Sequence, residues 1–256
     1  MKKTFDVVVI GTGEAGSTVA TRCRAAGKTV AIVDSRPFGG TCGLRGCDPK
    51  KVLVGTAEIV DRWRRMEGRG VAGDLHIDWS DLIRFKATFT DPFPTQREDS
   101  FLQAGVETFH GRAHFLGRRS IQVGDDVLEG THVVVATGAW PAKLSVDGEE
   151  HLTRSDQFLD LQQLPERIAF VGGGYIAFEF GHVAARAGAK VTILHQGMRP
   201  LEHFETDLVT KLLERTRALG IDVRTSTKVG GIEGAPGQYK VTTSVDGTSE
   251  VFDADL

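Results

Sequence analysis

The chain has 256 residues, of which 40% are hydrophobic, and a formal net charge of −3. This length accommodates one large domain or two ordinary ones, each able to bury a core. The nearly balanced charge argues against a nucleic-acid-binding protein, and no apolar run approaches the ~18 residues of a membrane span.

The chain begins with a βαβ pattern. A β-branched run predicts a strand over Phe5–Ile10, the Ala-rich stretch Ser17–Ala26 predicts a helix, and Lys28–Val33 predicts a second strand. Because the first apolar run leads directly into a glycine turn, it does not have the form of a signal peptide. We therefore expect a cytoplasmic protein.

Three glycines, Gly11, Gly13 and Gly16, fill the turn between the first strand and the helix. Such a turn presents backbone N–H groups and the positive end of a helix to a pyrophosphate. Asp34 closes the second strand, where its carboxylate can accept hydrogen bonds from a ribose diol. The sequence therefore predicts a dinucleotide site at this turn.

Two cysteines, Cys42 and Cys47, follow the second strand. In a regular helix, residues five apart rise roughly 7.5 Å, which is at or beyond the usual Cα spacing of a disulfide. A redox-active pair therefore needs a distorted turn, which Gly43 and Gly46 allow. The chain has only three cysteines, too few for a disulfide scaffold. The alternative is two free thiols in a loop.

Three helices are predicted next, over Lys51–Glu67, Asp78–Phe89 and Pro94–Ala104. A strand-rich meander then begins at Gly105 and returns through a β-branched strand to Gly138. The polar stretch 141–164, interrupted by proline and glycine, predicts the boundary between two domains, and we place that boundary at residue 145.

From Arg167 the first pattern returns. A strand over Ile168–Val171 leads into a turn in which Gly172, Gly174 and Ala177 take the three glycine positions, and a second strand covers Lys190–Leu194. The fold class is therefore α/β, with two Rossmann-like dinucleotide-binding domains built on parallel sheets with antiparallel meander insertions.

The second meander begins at Gly220, and its self-alignment with the first places Leu256 near His132 or Val133. We therefore expect the second domain to lack its final parallel strand and to be incomplete.

At the end of the second strand of this repeat, His195 stands where a carboxylate would hold the ribose of NAD, and Arg199 follows. Losing the carboxylate and gaining these two residues favours a 2′-phosphate, hence NADP over NAD. The alternative is that both are ordinary surface residues.

Three segments resemble one family. The Gly39–Lys50 segment is similar to the redox-active segment of the FAD-dependent pyridine nucleotide-disulfide oxidoreductases, which include glutathione reductase, dihydrolipoamide dehydrogenase and mercuric reductase. Gly172–Glu179 resembles their pyridine nucleotide turn, and residues 136–138 resemble their FAD-contacting strand end. The resemblance implies an FAD-binding domain over 1–145 and an NAD(P)-binding domain over 146–256, with the family's C-terminal dimerisation domain absent.

The resemblance also implies site roles. Cys47 would lie against the flavin, Cys42 would exchange with an external disulfide, Lys50 would pair with Glu179, and Tyr175 would cover the nicotinamide pocket. Lys50 can stabilise the negative charge of reduced flavin. The implied cofactor contacts further include Glu14, Ala15, Ser35, Gly40, Thr41, Gly46, Ala113, Ala136, Thr137, Gly138, Ile176 and Gln196.

The resemblance implies an enzyme that passes a hydride from NAD(P)H to FAD and then two electrons to the Cys42/Cys47 disulfide, which reduces a small-molecule disulfide. No metal site, nucleic-acid partner or membrane partner is expected, and a homodimer is expected for full-length members. Two alternatives stay open: a flavin-dependent NAD(P)H oxidase or quinone reductase, and a non-catalytic nucleotide-binding fragment.

Overall fold

The computed structural model describes all 256 residues. The chain divides into two compact units. Unit 1 comprises Met1–Lys50 and Lys86–Pro141, and unit 2 comprises Lys51–Phe85 and Ala142–Leu256. No helix is long and apolar enough to cross a membrane.

Unit 1 is built on a six-stranded sheet in the order β3-β2-β1-β6-β5-β4. The strands β3, β2, β1 and β6 are parallel, whereas β6, β5 and β4 form an antiparallel meander. The strands are β1 (Lys2–Ile10), β2 (Val30–Asp34), β3 (Glu107–His110), β4 (Ala113–Gly117), β5 (Ser120–Val123) and β6 (Asp126–Val135).

The central strand β1 is covered on both faces, as is usual in parallel sheets. Val8 packs in one apolar cluster with Leu128, whereas Val9 packs in another with Ile32 and Phe38. The helices between β1 and β3 in the chain are α1 (Glu14–Ala25), α2 (Gly40–Arg45), α3 (Cys47–Met66), α4 (Trp79–Thr90) and α5 (Phe93–Gln103). From Lys51 onward α3 belongs to unit 2, as does α4 as far as Phe85.

Unit 2 repeats the parallel arrangement in a three-stranded sheet, β7-β8-β9, and adds an antiparallel sheet, β10-β11-β12. The strands are β7 (Arg167–Val171), β8 (Lys190–Leu194), β9 (Asp222–Arg224), β10 (Lys228–Ala235), β11 (Gln238–Val245) and β12 (Thr248–Ala254). The helices are α6 (Ser155–Phe158), α7 (Tyr175–Arg186) and α8 (Thr206–Ala218). The predicted α/β class with parallel sheets and meanders is confirmed.

The compact units differ from the two continuous stretches expected from the sequence. Leu53 and Trp79, which precede the predicted boundary, share the core of unit 2 with Val191. Part of the polar stretch beyond residue 141 is buried as well, since Phe158 stacks on Phe180 with ring centroids 4.6 Å apart. The assignment of one cofactor to each stretch stays a prediction.

The last residues of the chain run beside β7. Leu256 donates to Arg167 O at 3.2 Å and accepts from Ala169 N at 2.8 Å, so it lies opposite Ile168. The equivalent position in unit 1 is His132 opposite Val7. The register agrees with the predicted correspondence of Leu256 with His132 or Val133 and places it at His132.

Candidate active site

The first glycine turn is a tight connection between β1 and α1. Gly11 has φ +111°, and a Cβ there would lie 2.2 Å from Ala136 O. A Cβ on Gly16 would lie 1.9 Å from Gly11 O. Both positions therefore require glycine, and the backbone N–H groups at the start of α1 are left to bind an anion.

Asp34 lies beside this turn. Its Oδ2 accepts hydrogen bonds from Thr12 N at 2.9 Å and from Thr12 Oγ1 at 2.6 Å, and its Oδ1 accepts one from Arg36 N at 3.0 Å. Each carboxylate oxygen can accept more than one hydrogen bond, so the oriented group can still receive a ribose hydroxyl. Thr12 was missed by the sequence analysis because it occupies a variable position of the glycine motif.

The redox segment begins against the glycine turn. Gly39 and Gly40 have φ values of +130° and +68°, and a Cβ on Gly40 would lie 2.3 Å from Gly13 Cα. The two backbones touch at this point, which explains the glycine pair that precedes Thr41. The helix α2 that carries Cys42 is therefore fixed to the predicted pyrophosphate turn.

The two cysteines lie on either side of a helix break. α2 ends at Arg45, Gly46 takes the non-helical angles φ −146° and ψ −109°, and Cys47 is the first residue of α3. This break provides the distorted turn that the cysteine spacing predicts. Both thiols are free in the structure, Cys42 half-buried and Cys47 exposed.

The two thiols interact. A hydrogen bond with Cys47, together with partial burial, raises the pKa of Cys42 to about 11. A neighbouring sulfur that carries negative charge disfavours a second thiolate. The pair therefore retains a proton on Cys42 at neutral pH.

Lys50 and Glu179 lie on different units. Lys50 is on α3, one turn after Cys47, and its N–H donates to Gly46 O at 3.1 Å. Glu179 is half-buried on α7, one turn after Tyr175, which is 58% exposed. Their pairing across the two units stays a prediction.

The second glycine turn is more open than the first. Gly172 has φ +105°, and a Cβ on Gly172 or Gly174 would meet nothing within 4 Å. Ala177 is buried in the place that Gly16 takes in unit 1. The turn therefore leaves room for a phosphate at the start of α7.

Gly173 was not predicted to matter, but the space around it is closed. A Cβ there would lie 2.7 Å from Pro200 Cβ and 2.9 Å from His195 Cγ. His195 Nδ1 accepts from Gly173 N at 3.2 Å, and its Nε2 lies 2.9 Å from Arg199 O. A carbonyl can only accept, so the ring is the neutral Nε2–H tautomer and holds the loop closed.

The half-buried Arg199 is also anchored. Its guanidinium donates to Phe204 O at 3.1 Å, to Thr206 Oγ1 at 2.9 Å and to Glu202 O at 2.7 Å. Both nitrogens of His195 are used inside the loop, whereas these three bonds use only part of the five N–H groups of Arg199, so the predicted 2′-phosphate contact would fall to Arg199.

The other predicted cofactor residues lie at or close to the ends of strands and the starts of helices. Glu14 and Ala15 form the first turn of α1, Ser35 follows β2, and Ala113 begins β4. Thr41 lies in α2, Gly46 in the break, Ala136, Thr137 and Gly138 follow β6, Ile176 lies in α7, and Gln196 follows β8. The first turn, where a Cβ on Gly11 or Gly16 would collide with backbone, and the second turn, which is open around Gly172 and Gly174, both lead into helix starts that can receive a pyrophosphate.

Comparison with known proteins agrees with this geometry. Residues 5–256 match the family model described as pyridine nucleotide-disulphide oxidoreductase. A glutathione reductase of Burkholderia cepacia is 33% identical over 98% of this chain and 56% of its own length. A trypanothione reductase of Trypanosoma congolense is 32% identical over 100% of this chain and 57% of its own length.

A solved structure also matches. The HOCl-induced flavoprotein disulfide reductase RclA from Escherichia coli, in its Cu(II) complex, superposes with a TM-score of 0.85 at 25% identity, over 99% of this chain and 55% of that one. The chain thus spans about half the length of the relatives it matches. The family model covers nearly the whole chain, and the chain belongs to the pyridine nucleotide-disulphide oxidoreductases.

Proposed function

We propose that this chain carries the electron path of a disulfide reductase, from NAD(P)H through FAD to the Cys42/Cys47 pair and on to a small-molecule disulfide. One observation carries the proposal: two interacting thiols straddle a helix break, and the helix that bears the first of them starts in contact with a dinucleotide-type glycine turn.

FAD, when bound, accepts a hydride from a reduced nicotinamide and supplies two electrons to a disulfide. Gly11, Gly13 and Gly16 would hold its pyrophosphate at the start of α1, and Asp34 would receive its ribose. The turn at Gly172 and Gly174 would hold the pyrophosphate of the nicotinamide dinucleotide, and the guanidinium of Arg199 makes NADPH the expected donor.

The thiol pair would act by exchange. Cys42 gives up its proton as its sulfur attacks one sulfur of the substrate disulfide, so a mixed disulfide forms and one substrate thiol leaves with a proton. Cys47 then attacks the Cys42 sulfur, which releases the second thiol and leaves a Cys42–Cys47 disulfide. The net reaction oxidises the dithiol and reduces the substrate by two electrons and two protons.

The names of the relatives support a low-molecular-weight disulfide as the substrate, since two are reductases of glutathione and of trypanothione. We place the reaction in the cytoplasm, where dithiols stay reduced. We also expect the full-length protein to act as a homodimer.

The first test is anaerobic absorption of the chain refolded with FAD and titrated with NADPH or with NADH. We expect a bound flavin spectrum, two additional thiols that react with a thiol reagent after one equivalent of NADPH, and bleaching of the flavin only with a second equivalent. Cys23→Ser is the matched control, because Cys23 lies in α1 outside the pair, and it should bleach in the same way.

Each of the other outcomes would contradict one part of the proposed function. A chain that never retains FAD would indicate the non-catalytic fragment. Bleaching followed by equal quinone reduction in the wild type and in Cys42→Ser would indicate an oxidase or quinone reductase. Preference for NADH would remove the role assigned to Arg199.

A further inference from the structure

The Thr12 side chain contacts three parts of unit 1 that belong to different sequence motifs. It lies in the glycine turn and is fully buried. Its hydroxyl donates to Asp34 Oδ2 at 2.6 Å and accepts from Gly39 N at 3.1 Å. One side chain thereby touches the turn, the carboxylate at the end of β2 and the residue that precedes α2.

The chemistry of this bridge is specific to a hydroxyl. A hydroxyl can donate one hydrogen bond while it accepts another, and both are used here. Donation to a carboxylate makes the oxygen a better acceptor for the Gly39 N–H. Gly39 is buried, so water does not replace this acceptor when it is lost.

The bridge ends at the helix that carries Cys42. Gly39 is the N-cap of α2, and the next residue, Gly40, touches Gly13. The Thr12 hydroxyl and the Gly13–Gly40 contact therefore fix the same helix start, the first by a hydrogen bond and the second by shape.

We propose that Thr12 is a positioning residue that couples the dinucleotide turn to the redox helix: it orients Asp34 for the cofactor ribose and holds the N-cap of α2, and so the position of Cys42 relative to Cys47. The ribose part rests on the proposed function. The part that concerns α2 requires only the contacts within unit 1.

The test compares Thr12→Val, which keeps the shape and loses the hydroxyl, with Thr12→Ser, which keeps the hydroxyl. In the chain without FAD, we expect Thr12→Val to speed amide exchange at Gly39 about tenfold, the effect of one hydrogen bond to a charge-assisted acceptor. Alkylation of Cys42 by iodoacetamide at pH 8.5 should also become faster, because a loosened α2 weakens the interaction with Cys47. Thr12→Ser should stay within twofold of the wild type in both measurements.

A control separates this coupling from general loosening of the turn. Ser17 Oγ donates to Thr12 O at 2.8 Å but does not take part in the hydrogen bonds from Thr12 to Asp34 and Gly39. Ser17→Ala should therefore leave Gly39 exchange and Cys42 alkylation unchanged. Equal effects of Thr12→Val and Thr12→Ser, or unchanged exchange and alkylation in Thr12→Val, would overturn the proposal.

FAD affinity supplies the third measurement. In a wild-type chain that binds FAD, Thr12→Val should raise the dissociation constant about tenfold and Thr12→Ser should restore it; no change in Thr12→Val would overturn the role of Thr12 in orienting Asp34. A wild-type chain that binds no FAD would overturn the proposed function instead, while exchange and alkylation still decide the coupling to α2.

Discussion

Cys42 holds its proton because of one neighbour, the sulfur of Cys47. Their hydrogen bond, with partial burial, raises the pKa of Cys42 to about 11. Cys47→Ser removes the sulfur that raises the pKa of Cys42, so this pKa should fall toward the ~8.5 of an ordinary cysteine. The thiolate fraction near pH 8.5 should then rise, and alkylation of Cys42 should become at least about tenfold faster.

The measurement is the rate of iodoacetamide labelling at Cys42 between pH 7 and pH 11, read by mass spectrometry of its peptide. Cys23→Ser should give the wild-type profile. An unchanged midpoint in Cys47→Ser would show that burial, and not Cys47, sets the pKa.

His182 is held neutral. Thr216 Oγ1 donates to Leu212 O, so it accepts from His182 Nε2, while Arg186 Nη1 donates to His182 Nδ1 at 3.1 Å. Burial, and then the charge of Arg186, lowers the pKa of His182 to about 4. The unfolded chain therefore binds a proton here before the folded chain does, and stability is lost as the pH falls from about 6.5 to about 4.

His182→Gln should remove this dependence. The difference in unfolding free energy between wild type and variant should change by about 1–2 kcal/mol across that pH range, after allowance for the partial exposure of the ring. Urea unfolding at several pH values measures it, with the exposed His203→Gln as the control. If the unfolding free energies of the wild type and of His182→Gln changed equally with pH, the lowered pKa of His182 would be contradicted.

Two glycines in the helices that carry the cysteines, one in α2 and one in α3, have different surroundings. Gly40 combines φ +68° with a Cβ position 2.3 Å from Gly13 Cα. Gly40→Ala should therefore cost at least about 2 kcal/mol of unfolding free energy, from left-handed strain and from the displacement of α2. Gly55→Ala, in the exposed interior of α3 with nothing within 4 Å, should instead stabilise by about 0.5–1 kcal/mol.

Urea unfolding should therefore show that Gly40→Ala lowers the unfolding free energy and that Gly55→Ala raises it. A Gly40→Ala chain as stable as Gly55→Ala would mean that α2 starts without touching the glycine turn, and the structural basis of the redox site would fail.

The elements themselves were largely predictable, because periodicity and glycine turns are local. The observed α5 (Phe93–Gln103) and β8 (Lys190–Leu194) lie within one residue of the predicted bounds. The closure of the second turn was not predictable, because the bonds that His195 makes to Gly173 N and Arg199 O depend on where the loop folds back. The same holds for Thr12, whose partners lie 22 and 27 residues away.

At the scale of the whole molecule, the repeat predicted two nucleotide-binding folds but not how the chain is shared between the units. The segment Lys51–Phe85 follows the redox cysteines in sequence and is part of unit 2. Its apolar residues, such as Leu53 and Trp79, read as a core face in either unit, and only packing assigns them. Helical periodicity identifies a buried face without identifying its partner.

Asp61 is the charged group that ties α3 into unit 2. Its Oδ1 accepts from Arg186 at 3.0 Å and from Arg215 at 2.7 Å, and Arg65 lies 2.6 Å from Oδ2. Burial would raise the pKa of Asp61, but the Arg186 hydrogen bond and the charges of the three arginines outweigh it and hold the pKa below its ordinary value. This pairing therefore stabilises the fold above that ordinary pKa and is lost as the pH falls through the lowered one.

Asp61→Asn should destabilise unit 2 by about 2–3 kcal/mol, because Arg186, with 11% of its side chain exposed, keeps its charge without a counterion. Asp81→Asn removes a solvent-exposed pair with Arg84 and should cost less than about 1 kcal/mol. Urea unfolding followed by circular dichroism measures both at pH 7 and again near pH 3. The loss of unfolding free energy in Asp61→Asn should be smaller at the lower pH, because the wild-type carboxylate becomes protonated there. A loss that is equal at both pH values, or no larger than that of Asp81→Asn, would mean that α3 is held in unit 2 by its apolar face alone.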